Sequence, residues 1–115
     1  MKKFWPFQNG NTEIWYQKPE FFRDGVMGVK WLKKQGMMPT KKTLSETHVC
    51  LGTMRETNLE TIFAMMQGER WSPNGESRST ILDNGLKHTS MVTGDVIVVD
   101  GQAHIADWMG FAEFR

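Results

Sequence analysis

Four β-branched residues in a row, Val96-Ile97-Val98-Val99, run into Asp100-Gly101 and are followed by a second β-rich stretch, Ala103 to Trp108. Branching at Cβ restricts χ1 and suits a pleated strand, and Asp-Gly tolerates the positive φ of a tight turn whose twist matches that of paired strands. Asp95 to Val99 and Ala103 to Trp108 are therefore expected to form a β-hairpin. An apolar run without polar alternation reads as a strand covered on both faces, so this segment is also the expected centre of a sheet.

Upstream, shorter patterns add elements around that hairpin. The first eleven residues mix Phe4, Trp5 and Phe7 with Pro6 and Asn9-Gly10, which predicts an irregular arm packed by its aromatics. Thr12 to Gln17 alternates and predicts a strand, stopped by Pro19. Phe21, Phe22, Gly25, Val29 and Leu32 follow helical spacing from Pro19 to about Gln35, with Gly36 as terminator and Asp24 as an alternative start. Thr47 to Met54 reads as a strand in which Val49 and Leu51 alternate with His48 and Cys50. Thr57 and Glu60 form a capping-box signature ahead of the stripe Leu59, Ile62, Phe63 and Met66, which predicts a helix ending at Gln67-Gly68. Ser72 and Pro73 look like N-cap and N1 of a third helix toward Asp83, with Gly85 as its stop. The expected fold is a single α+β domain, with about three helices on one face of a small, mostly antiparallel sheet in the order β-α-β-α-α-β-β.

A chain of 115 residues is long enough to bury a core without metal or disulfide staples. The lone Cys50 has no partner for an internal disulfide and fits a reducing compartment. No stretch approaches the roughly 18 apolar residues of a membrane span, and Met1-Lys2-Lys3 leads into a segment broken too early for a signal peptide. A cytoplasmic protein is expected. The net charge of +1 conceals asymmetry, since residues 1–42 hold nine Lys or Arg against three acids and residues 43–115 five against ten.

Candidate chemistry is sparse. His48 and Cys50, two apart on a strand, share a face, but two ligands do not make a zinc site and no further Cys or His-Glu-x-x-His motif completes one. A buried Cys beside a hydrogen-bonded His is the simpler reading. Cys50 or Ser90 as nucleophile, with His48 or His88 as base, lacks an activating motif, and Asp95 and Asp100 flank a strand at turn positions. Neither Gly-x-Gly-x-x-Gly nor Gly-x-x-x-x-Gly-Lys is present to cradle a phosphate. No catalytic residue, metal or cofactor is expected.

Binding is the better-supported class. Five Trp, seven Phe and nine Met exceed what a small core needs for filling, and these residues energise interfaces, so some are expected at the surface. The polar loop Gln67 to Gly75 with the segment 88–90 is the expected docking surface for a protein partner, with Trp71 as anchor and Ser72, Asn74, His88, Thr89 and Ser90 around it. The alternative is nucleic-acid binding, because Lys30, Lys33, Lys34, Lys41 and Lys42 lie in a segment free of acids with Trp31 among them. The absence of Arg from that cluster disfavours bidentate base reading.

The helix Leu59 to Met66, then Ser90-Met91-Val92-Thr93-Gly94-Asp95-Val96-Ile97-Val98, then Trp108-Met109-Gly110-Phe111 together resemble the YodL-like domain of small phage, plasmid and bacterial accessory proteins. The resemblance covers roughly residues 47–114 and departs from the family at Val92-Thr93, where relatives tend to carry Ser-Val. It implies an accessory or regulatory protein of phage or mobile-element type, working in the host cytoplasm, and brings no active-site residues with it.

Overall fold

The computed structural model describes residues 5–115. They form an α+β fold, a five-stranded sheet with six short helices. The strands are β1 (Thr12–Gln17), β2 (His48–Met54), β3 (Val96–Val99), β4 (Gln102–Ala106) and β5 (Phe111–Phe114). Their spatial order is β2-β1-β3-β4-β5, and every neighbouring pair is antiparallel. The apolar run of β3 thus occupies the middle of the sheet, as its unbroken hydrophobicity requires. Val96 and Ile97 are fully buried, one facing each side. Asp100 at φ 49° and Gly101 at φ 84° make the turn into β4 with two consecutive left-handed residues, the geometry for which Asp-Gly is suited.

The helices are more numerous than three and cover both faces. The expected Pro19–Gln35 helix is two, α1 (Pro19–Gly25) and α2 (Val29–Lys34), separated by Gly28 at φ 99°. A short α3 (Leu44–Thr47) precedes β2. Phe21, Val29, Leu32 and Leu44 from these helices pack with Val96, Val98, Ala103, Ile105 and Phe114 on one side of the sheet. On the other side α4 (Leu59–Met65), α5 (Gly68–Trp71) and α6 (Arg78–Asp83) bury Ile62, Trp71 and Ile81 with Ile14, Tyr16, Met54, Met66 and Ile97. Two layers of helix are needed because β1, β3 and β5 present apolar residues on both faces.

Cap assignments also shift. Asn58, not Thr57, caps α4, its side chain accepting the Thr61 N–H at 2.9 Å. Ser72 does not start a helix, because α5 ends at Trp71 and α6 begins only at Arg78. The Ser72 hydroxyl instead accepts the Ser77 N–H at 2.9 Å and so shapes the loop. In the described part of the N-terminal segment, Trp5 and Phe7 pack on the core, and Gln8 N–H donates to the Thr53 carbonyl at 2.9 Å. Phe4, expected to join them, lies outside the described residues.

Candidate functional site

The loop expected to present Trp71 folds inward. Trp71 is 1% exposed, ringed by Trp5, Phe7 and Tyr16 with centroid separations of 5.6–6.5 Å, and its indole N–H donates to the Thr89 carbonyl at 3.0 Å. It is a core residue that ties the N-terminal arm to the 88–92 segment, not a docking anchor. Ser90 Oγ accepts the Gly68 N–H at 2.7 Å, and the Asn74 N–H is taken by Glu76 at 2.8 Å. Ser72 and Thr89 line a shallow hollow of about 350 Å³ beside exposed Leu82. Asn74 is exposed, and His88 sits apart, bordering a different hollow. The six residues grouped by sequence therefore do not share one surface.

His88 leads to a buried polar cluster. Asp95 is fully buried, and its carboxylate accepts the backbone N–H of Gln17 at 2.9 Å, that of Val92 at 2.9 Å, and His88 Nε2 at 3.0 and 3.1 Å. A carboxylate has no proton to give, so His88 Nε2 is the donor. The imidazole stacks on Tyr16 at 4.6 Å, and the Tyr16 hydroxyl donates to the Thr89 carbonyl at 2.7 Å. Burial, with a smaller contribution from the Asp95 charge, raises the Tyr16 phenol far above its ordinary pKa. His48 lies nearby, donating from Nε2 to the Gly94 carbonyl at 2.7 Å and accepting the Thr47 hydroxyl on Nδ1 at 2.7 Å. Its pKa is lowered, chiefly by burial, against the opposing pull of Gly94 and Asp95.

An imidazole oriented by a carboxylate is the working pair of a general base, but it needs a group to act on. The candidate nucleophiles are elsewhere. Ser90 caps α5, and Cys50 is exposed on β2, the edge strand, where it shares a face with His48 but not its burial. The expectation of a buried thiol is thus corrected: β2 is the edge strand of the sheet and leaves Cys50 exposed. The Cys50 Sγ lies 3.6 Å from the Gly52 carbonyl, and desolvation against the strand still raises its pKa. Among the described residues no three His, Cys, Asp or Glu side chains gather where they could hold a metal ion.

The strongest surface feature lies at the other end of the hairpin, where sequence reading placed the close of a strand. β4 ends at Ala106, and Asp107, Trp108, Met109 and Gly110 form a turn into β5, closed by the Asp107 N–H on the Gly110 carbonyl at 2.9 Å. Asp at the first and Gly at the fourth position is a type I turn signature, and it was present in the sequence. The turn projects its two central side chains outward. Trp108 is 71% and Met109 92% exposed, next to Met27 at 45%.

Trp108 is nonetheless fixed. Its indole N–H donates to the Val26 carbonyl at 2.9 Å, and Asp107 Oδ1 accepts both the Trp108 and the Val29 N–H groups, at 2.9 and 3.2 Å. These bonds clamp the turn onto the α1–α2 junction, and a Cβ on Gly28 would sit 3.0 Å from Asp107 Oδ1 and 3.3 Å from the Trp108 indole nitrogen. The result is a groove of about 410 Å³ lined by Met27, Trp31 and Trp108, with exposed Lys30 and Lys34 and half-buried Asp107 also lining it. Trp31 is held in turn by Asp24, at 3.3 Å from its indole nitrogen.

The five lysines of the nucleic-acid expectation divide between two places. Lys30 and Lys34 line the groove, with Lys33 exposed on the same helix. Lys41 donates to the Gly101 carbonyl at the β3–β4 turn, with exposed Lys42 beside it in sequence. That turn is the opposite end of β4, roughly 17 Å away at about 3.3 Å per residue. No helix among the described residues is long and apolar enough to cross a membrane. Compared with known proteins, the chain matches no family model, no curated protein and no solved structure.

Proposed function

We propose that this chain is a small non-catalytic accessory protein, of the kind the YodL-like resemblance implies, that works in the cytoplasm by docking a partner protein in the Trp31–Trp108 groove. One observation carries the reading: a large aromatic, 71% exposed, is hydrogen-bonded into a fixed orientation beside a second indole and an exposed Met. Leaving Trp108 and Met109 in water forgoes burial worth about 1.5–3 kcal/mol for a large apolar side chain, and adjoining exposed apolar groups mark interaction sites. Fixing the indole beforehand removes part of the ordering cost that a partner would otherwise meet. The Ser72 loop is the weaker surface because its polar groups already bond to one another.

A photo-crosslinker placed at position 109, compared with one at position 74, tests this in native cells. A discrete partner captured from 109 and lost with Trp108→Ala supports the groove. Capture from 74 alone refutes it.

A second reading, single-stranded nucleic acid, is favoured by the pairing of two indoles with two ammonium groups, which stack bases and neutralise phosphates. Asp107 in the groove and the distant position of Lys41 weigh against it. It predicts binding that falls steeply with salt and is abolished by Lys33→Glu with Lys34→Glu.

A further inference from the structure

We infer that the occupant of the Trp31–Trp108 groove is an acidic protein segment, one that buries a bulky apolar side chain between the indoles and sets Asp or Glu residues against Lys30, Lys33 and Lys34. The inference rests on the docking reading above and adds the chemistry of the partner. The groove is lined by apolar Met27, Trp31 and Trp108 together with the exposed lysines Lys30 and Lys34. Lys30, Lys33 and Lys34 fall at positions i, i+3 and i+4 of α2, so all three ammonium groups leave the same side of one helix. None of them has an acidic partner among the ion pairs of the described residues, where the one recorded pair is His88 with Asp95.

The carboxylates near this surface are already engaged. Asp107 accepts two backbone N–H groups and Asp24 the Trp31 indole, and neither forms an ion pair with Lys30, Lys33 or Lys34. The negative charge of half-buried Asp107 also disfavours an anion beside it, and so separates the ligand's parts: an apolar side chain against the indoles, carboxylates toward the exposed lysines. Exposed Met27 in the groove and exposed Met109, next to Trp108 in the turn, supply adaptable apolar contact of the kind helical or extended peptides use. A phosphate backbone is tracked by a continuous run of cations, whereas the second lysine pair lies at the far end of β4.

The test uses the full chain and four probes: three fluorescent synthetic peptides that share a Leu-Leu-Phe centre and are flanked by Glu, by Gln or by Lys, and a labelled oligothymidylate. Anisotropy is expected to rank Glu above Gln above Lys, with about tenfold between the extremes from exposed charge complementarity. Lys30→Glu with Lys34→Glu should reverse that order. Trp108→Ala should weaken the Glu peptide about thirtyfold, the loss typical of a buried aromatic anchor. Because Trp108 also holds Val26, Met109→Glu serves as a second variant at a side chain without packing partners, and circular dichroism melting verifies folding of each. Equal binding of the three peptides, all Trp108-dependent, overturns the acidic partner and leaves the docking reading standing. Binding that no Trp108 or Met109 variant alters refutes both. Failure of all three peptides overturns the inference, and tighter binding of oligothymidylate overturns it in favour of nucleic acid.

Discussion

Replacing Asp95 with Ala should cost about 4 kcal/mol of folding stability. The carboxylate is fully buried and is the acceptor for three donors, the N–H of Gln17, the N–H of Val92 and Nε2 of His88. Each buried donor left without an acceptor costs about 1–3 kcal/mol, or near 6 for three at the middle of that range. Two terms reduce it: alanine no longer carries a desolvated charge, and His88, being partly exposed, recovers water. A domain of this size holds about 5–15 kcal/mol in all, so the variant should remain folded with a much lower urea midpoint. Asp95→Asn should fall between, since its one carbonyl oxygen replaces two acceptors and its amide adds donors. His88→Ala should cost less than Asp95→Ala, because it removes one donor and leaves the two backbone bonds. Urea denaturation followed by tryptophan fluorescence measures all three and the double variant, whose coupling energy should reach about 0.5–3 kcal/mol for residues in direct contact. A loss below about 1 kcal/mol for Asp95→Ala, at an unchanged m-value, would refute the view that this carboxylate fastens β1 to the 88–92 segment.

His48 is held neutral in the fold with its pKa below the ordinary value, so below about pH 6.5 the unfolded chain takes up a proton that the native state refuses. Stability should be full above that pH and decline as pH falls, with a shallower decline in His48→Gln, read from urea midpoints across the range. Gly94→Ala should cost at least about 3 kcal/mol, since φ is 100° and a Cβ would meet the Gly25 carbonyl carbon at 2.8 Å, whereas Gly75→Ala, with open space around it, should cost about 1. Thermal melting separates the two. Cys50 should react with a disulfide reagent several-fold more slowly in the native protein than in urea at the same pH, because its raised pKa lowers the thiolate fraction despite exposure.

Short-range chemistry made much of the architecture legible. Asp100-Gly101, the unbroken β-branched run before it and the alternation in 12–17 and 47–54 each depend on neighbours within a few residues, and strands appear at 12–17, at 96–99 and, without Thr47, at 48–54. Helix spacing was less decisive. Apolar periodicity continued across Gly25 and Gly28, so one helix was expected where a left-handed Gly28 makes two; only the docking of the Asp107 turn against that glycine requires the break.

Side-chain exposure was harder to read, because it depends on what another part of the chain lays over a position. Trp71 and Trp108 are the same residue type in comparably polar surroundings, yet one lies under the N-terminal arm and the other at the tip of a turn. Local sequence dictated strands, turns and the need for two apolar faces, since those follow from backbone preference and side-chain alternation. The seating of Asp95 on the Gln17 N–H, the cover of Trp71 by Trp5 and Phe7 and the groove between Trp31 and Trp108 arise from contacts between residues up to about eighty positions apart, and such contacts exist only once the chain has closed on itself.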